Sequence, residues 1–154
     1  MKAVIDTGVL ISAALAISAG SASRSRQLVE NGLTGERYEI VTSEPMLREL
    51  ADVLSRPRIG LDAQYAAAFV ERVVSVATII AIRGLAMGCR DPRDDKVLET
   101  ALNANVDFVV ARDRDLHEPR SGGRCTRVRR GDERARLQRA RCSHVAVIGV
   151  HRST

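Results

Sequence analysis

Met1-Lys2-Ala3-Val4-Ile5-Asp6 opens the chain as a short apolar run that ends in a carboxylate. Phe108-Val109-Val110-Ala111 is built the same way and leads to Asp113. Apolar runs this short, bounded by polar residues, suit strands buried on both faces. Between the two, strands and helices alternate. An Ala/Leu/Ile-rich helix is expected over 9–19, and a second over Ser23–Leu33, closed by Gly32 and Gly35. Tyr38–Thr42 reads as a strand, and Ser43 can cap the helix that follows. In that helix Met46, Leu47, Leu50 and Leu54 recur at helical spacing, and Arg56-Pro57 stops it. Asp62–Ala77 is a further amphipathic helix and Thr78–Ile82 a further strand. Asp91 as N-cap and Pro92 at the first helical position begin the helix that carries Val97, Leu98, Ala101 and Leu102, and Asp107–Ala111 is the next strand. This alternation predicts an α/β domain with a mostly parallel sheet covered on both faces.

Parallel strands point their carboxyl ends at one crevice, where open α/β sheets bind ligands. Asp6, Glu49, Asp95 and Asp113 each lie at or just beyond a hydrophobic segment, and their convergence there would leave like charges in need of a cation. An oxygen-rich, thiol-free set of ligands suits Mg²⁺ or Mn²⁺. Asp95 is expected one turn into its helix, free for a metal, while Asp91 and Asp94 serve the helix start. Of Asp113 and Asp115, one is expected as a ligand and one as a solvated turn residue. Arg112 and Arg114 beside them suit either salt bridges or a phosphate clamp. Each acid also has a plainer reading, Asp6 as a strand-end side chain bonded to loop amides and Glu49 as a solvated helix residue. Asp6-Thr7-Gly8 matches the aspartic-protease signature, but a helix-rich chain without a second matching aspartate does not suit that chemistry. His117, His144, His151, Cys125 and Cys142 follow no standard zinc spacing.

Composition narrows the function further. The 154 residues amount to one domain's length, with a net charge of +5 that conceals two regimes. From His117 to Thr154 ten Arg face only Glu118, Asp132 and Glu133, whereas residues 1–116 hold 14 basic and 16 acidic side chains. Aromatics make up 3% of the chain, which disfavours base-stacking platforms as a way to hold nucleic acid. No apolar run is long enough to span a bilayer, and Asp6 ahead of the apolar stretch does not suit a signal peptide. Three cysteines without CxxC spacing agree with a reducing compartment, so a cytoplasmic location without membrane association is expected. Residues 117–143 lose all periodicity and are expected to be irregular or weakly helical. Such an Arg-rich stretch suits a solvated charge run or a polyanion-binding arm, and it is also what a GC-rich gene read out of frame encodes. A strand-like run returns at Val145–Val150.

Four segments together resemble the PIN domain, in particular the VapC-like toxins of bacterial toxin–antitoxin pairs. They are Val4-Ile-Asp-Thr-Gly-Val-Leu-Ile-Ser-Ala13, Ser43-Glu-Pro-Met-Leu-Arg-Glu-Leu-Ala-Asp-Val-Leu54, Cys89-Arg-Asp-Pro-Arg-Asp-Asp-Lys-Val-Leu-Glu99 and Ala111-Arg-Asp-Arg-Asp-Leu116. The likeness covers residues 1–116 as a nuclease domain and leaves 117–154 as an atypical Arg-rich segment. It implies a three-layer α/β/α fold and Mg²⁺- or Mn²⁺-dependent hydrolysis of RNA to a 5′-phosphate and a 3′-hydroxyl. By position, the metal-binding acids would be Asp6, Glu49, Asp95 and Asp113, with Asp115 in support and Ser43 as a hydroxyl near the substrate. It further implies a small cognate antitoxin and a possible homodimer. A catalytically impaired module that binds RNA or antitoxin is the alternative, because the family usually has Asn where this chain has Gly8. Glycine there is expected to remove a brace from Asp6 and loosen the turn.

Overall fold

The computed structural model describes residues 1–85, 87, 89 and 91–111, and the backbone of 146–149. The elements run β1 (Lys2–Ile5), α1 (Thr7–Ser18), α2 (Arg24–Leu33), β2 (Glu39–Thr42), α3 (Glu44–Leu54), α4 (Ala63–Val76), β3 (Thr78–Ile79), α5 (Asp95–Ala104), β4 (Phe108–Ala111) and β5 (Ala146–Gly149), with 3₁₀ turns at Pro57–Ile59 and Pro92–Asp94. Five parallel strands lie in the order β3-β2-β1-β4-β5. The α/β/α architecture is the one the alternation implied, and the described sheet is wholly rather than mostly parallel. Residues 117–143, expected to be irregular, lie outside the described residues, as do Val145 and Val150 at the ends of the last expected strand.

The strands earn their place through alternation of faces. Ala3, Ile5, Ile40 and Val110 face one core with Val9, Leu10, Ala13, Ala14, Val29, Leu50, Leu54, Phe69 and Val73, from α1, α2, α3 and α4. Val4, Val41 and Val109 face the other, with Met46, Val97 and Ala101, so α5 and the start of α3 close the opposite side. Register matches this division, with Val4 beside both Val41 and Val109. α1 can be almost entirely apolar because its small residues Ala13, Ala14 and Ala16 are buried against its neighbours.

Several boundaries differ from the periodic reading, each for a local reason. α1 begins at Thr7 rather than residue 9, because Asp6 caps it. β3 is only Thr78–Ile79, since past the Ile80 N–H donated to the Thr42 carbonyl the chain turns its amides elsewhere. Asp91 caps the 3₁₀ turn at Pro92–Asp94 through the Arg93 N–H (2.9 Å), and the α-helix starts only at Asp95. Ser43 stands at the N-cap position of α3 but makes no side-chain cap bond.

Gly32 does not close α2. It lies buried inside the helix, where a Cβ would come within 2.8 Å of the Tyr38 ring and 2.9 Å of Ile40. Its lack of a side chain lets α2 approach β2 that closely. Tyr38 is held there by its hydroxyl, donated to the Leu28 carbonyl at 2.5 Å, and by an edge-on contact with Phe108 at 5.7 Å. Burial pushes the Tyr38 hydroxyl up to about 12. Gly32→Ala is expected to lower stability by about 1–3 kcal/mol through overpacking, despite alanine's better helix propensity. Chemical denaturation monitored by circular dichroism checks this.

Candidate active site

β1 is the point where strand order reverses, with β2 on one side and β4 on the other. Its carboxyl end is therefore the topological switch point of the sheet. Asp6 stands there. Its backbone N–H remains bonded to the Val110 carbonyl of β4 at 2.8 Å, while its carbonyl accepts the first amides of α1 from Val9 and Leu10. Asp6 thus belongs half to the sheet and half to a helix start.

Its carboxylate accepts the Gly8 N–H at 3.2 Å. Gly8 occupies the second position of α1 with helical backbone, and a Cβ there would sit 3.0 Å from Asp6 Oδ2. The turn keeps one backbone bond to the carboxylate, which any residue other than proline could donate here. The glycine amide itself braces the carboxylate, and the missing side chain clears room for it. The plainer reading of Asp6, as an acceptor for loop amides, is therefore realised, but it does not exhaust the charge. Burial pushes the Asp6 carboxyl above its ordinary value; the Gly8 amide pulls it down, the neighbouring Glu49 charge pushes it up, and Lys96 pulls it down.

Glu49, on the sixth residue of α3, brings its charge over the sheet end to Asp6. Its Oε1 is 3.1 Å from Lys96 Nζ, a pair only about a third and a fifth exposed. The structure therefore brings Asp6, Glu49 and Lys96 together. Asp95 behaves differently. It is the first residue of α5 rather than a turn inside it, and its Oδ1 accepts the Cys89 N–H at 3.0 Å. Asp94, just before it, lies close enough to Arg93 to reinforce that guanidinium's charge, as Glu49 does. Ser43 is fully buried, with its Oγ 2.9 Å from the Thr100 hydroxyl, which also reaches the Lys96 carbonyl at 2.7 Å. This contact fastens the start of α3 to α5 directly behind Glu49 and Lys96. Asp113, Asp115, Arg112 and Arg114 lie outside the described residues.

Among the described residues no group of three or more His, Cys, Asp or Glu side chains is placed to hold a metal ion. Mg²⁺, however, keeps several waters and is usually bound through one or two carboxylates plus substrate phosphates. Asp6 and Glu49 fit that role as hard oxygen donors, Asp6 buried beside the charge of Glu49, and Glu49 held by Lys96 at 3.1 Å. Buried hydroxyls of Thr7, the first residue of α1, and Thr42, the last of β2, have no hydrogen-bond partner among the described residues.

Sequence reasoning missed Glu99. It is fully buried on α5, and its carboxylate accepts three successive amides, from Arg83 (2.7 Å), Gly84 (3.0 Å) and Leu85 (2.9 Å). With Asp95 holding Cys89, two acids of one helix fix the segment that crosses in front of it. Gly84 and Leu85 then line a cleft with Pro92, Arg93, Asp95 and Lys96. The available signal was an acid embedded among Leu98, Ala101 and Leu102, a position that burial makes costly without partners.

A family model described as "PIN domain" matches residues 2–115, the region that contains all of these features. No curated protein matches the chain. No described helix is long and apolar enough to cross a membrane.

Two outcomes are expected. Because burial raises the folded-state pKa of Asp6, its ionisation costs stability, fully so above that raised value and not at all below the ordinary 3.8. Asp6→Asn should therefore unfold at a higher denaturant midpoint than the parent at neutral pH, and the difference should vanish as pH falls below 3.8. Glu99→Gln places an NH₂ against backbone amides and should cost about 1–3 kcal/mol. Hydrogen exchange should show faster exchange at residues 83–85.

Proposed function

Since the chain belongs to the PIN domain family, whose members are in general nucleases, we propose that it hydrolyses RNA phosphodiester bonds with a divalent metal ion. The observation that carries this reading is the placement of Asp6, partly desolvated and repelled by Glu49, at the switch point of a parallel sheet. Asp6 and Glu49 would hold Mg²⁺ or Mn²⁺, with Asp113 and Asp115 as candidates for the remaining protein ligands and Arg112 and Arg114 for phosphate contacts. When bound, such an ion polarises a phosphate and lowers the pKa of water.

The chain's own residues supply position and charge. The Gly8 amide orients Asp6, and the Ser43–Thr100 contact fixes α3 against α5 so that Glu49 faces the same space. Asp95 contributes by holding Cys89, at the edge of the cleft where Arg93 and Lys96 offer cationic groups to a phosphate-bearing strand. Hydrolysis breaks the bond to the 3′-oxygen, leaving a 5′-phosphate and a 3′-hydroxyl. Nothing in this arrangement calls for a side-chain nucleophile.

The four sequence segments that resemble VapC-like toxins support a narrower role, as the toxin of a toxin–antitoxin pair in the cytoplasm. A small antitoxin would then cover the acidic crevice, and the toxin would act as a homodimer. A second reading, a catalytically impaired module that binds RNA or antitoxin, is favoured by one observation. Asp95, the third proposed acid among the described residues, turns its Oδ1 to the Cys89 amide.

Purified protein should cleave single-stranded RNA only with Mg²⁺ or Mn²⁺, and EDTA should stop it. Asp6→Asn should reduce the rate by more than about 100-fold without loss of fold. Undiminished cleavage by that variant sinks the assignment, and an inert parent protein across a Mn²⁺ titration favours the second reading. Growth arrest on expression, relieved by the product of a neighbouring short reading frame, tests the toxin role.

A further inference from the structure

A lysine ammonium in the middle of an acidic crevice needs a reason. The chain has only two lysines, Lys2 and Lys96, against 22 arginines, so a cation of this kind is unusual for this sequence. Lys96 is the cation that touches Glu49, at 3.1 Å, and its charge also reaches Asp6. It projects from the first turn of α5, whose backbone is fastened to α3 by Thr100 and Ser43, so its stem starts from a fixed point. On its other side it borders the cleft formed with Gly84, Leu85, Pro92, Arg93 and Asp95. An ammonium is a compact point charge on a flexible stem, able to leave one partner for another, whereas a guanidinium fork holds its partners in fixed geometry.

We propose that Lys96 is a tethered counter-ion, a positioning residue that holds Glu49 beside Asp6 before a divalent ion arrives and competes with that ion for Glu49. The crevice then never carries two unanswered carboxylates, and the fold does not depend on metal. Asp6 and Glu49 would hold such an ion, and Lys96 would then leave Glu49 for the cleft that it borders. This inference rests on the crevice being a divalent-ion site.

Mn²⁺ binding, measured by titration calorimetry on the full chain, tests it in the parent protein, Lys96→Met, Lys96→Arg and Asp6→Asn. Lys96→Met should bind Mn²⁺ about tenfold or more tighter than the parent, because the competing charge is gone while the stem remains. Its thermal midpoint in EDTA should fall below the parent's, and Mn²⁺ should close the gap. Lys96→Arg, which keeps the charge, should stay near the parent's affinity, and Asp6→Asn should lose the ion. Should Lys96→Met not fold in either medium, Lys96→Gln, whose amide can still bond Glu49, should show the same tightening. Equal or weaker binding by the uncharged variants overturns the counter-ion role and leaves the nuclease reading standing. Absence of Mn²⁺ binding in every protein overturns both.

Discussion

A carboxylate taken out of water at the end of a β-strand must be answered by nearby charge or hydrogen bonds, and most of the architecture around Asp6 does this. Its own amide completes the ladder to β4, its carbonyl opens α1, and its side chain takes the Gly8 N–H. These bonds fix where the acid sits but do not satisfy it. Burial and the charge of Glu49 outweigh the Gly8 and Lys96 contributions, and the carboxyl stays above its ordinary pKa. A carboxyl held this way at a strand end takes up a proton more readily than one in water.

α5 supplies the opposite wall, and it does so through polar side chains in a largely buried setting. Glu99 gathers the amides of residues 83–85, Asp95 takes Cys89, Thr100 meets Ser43, and Lys96 reaches Glu49. Val97 and Ala101 on the same helix enter the core below the sheet. The helix is therefore both a packing element and a bracket for the crevice. Its two roles are separated by face: Val97 and Ala101, four apart, turn into the core, while Asp95 and Glu99, also four apart, hold the chain that borders the cleft.

The acids among the described residues divide their contacts. Asp6 and Glu49 share a space, whereas the Oδ1 of Asp95 holds a backbone amide. At Gly8 the backbone N–H bonds Asp6, and the missing Cβ avoids a 3.0 Å approach to Asp6 Oδ2. Membership of the PIN family assigns nuclease chemistry at a coarse level. The finer identity of substrate and partner rests on side chains whose arrangement is particular to this chain.

Sequence alone determined the parallel α/β/α plan, because burial on two faces gives strands a continuous apolar run and helices a 3.6-residue repeat, and both are local patterns. It also placed Asp6 at a strand end and Glu49 on the helix after β2, since each follows directly from an element boundary. Tertiary structure decided what periodicity cannot encode. That Gly32 is a close-approach residue depends on Tyr38 and Ile40 meeting it from another element. That Glu99 gathers the amides of Arg83, Gly84 and Leu85 depends on α5 meeting a segment 14 to 16 residues earlier in the chain. That Asp6, Glu49 and Lys96 come together depends on α1, α3 and α5 starting at the same edge of the sheet. Spacing in a chain fixes which face a residue shares with its neighbours, but the partner of a charge is chosen by distance in space.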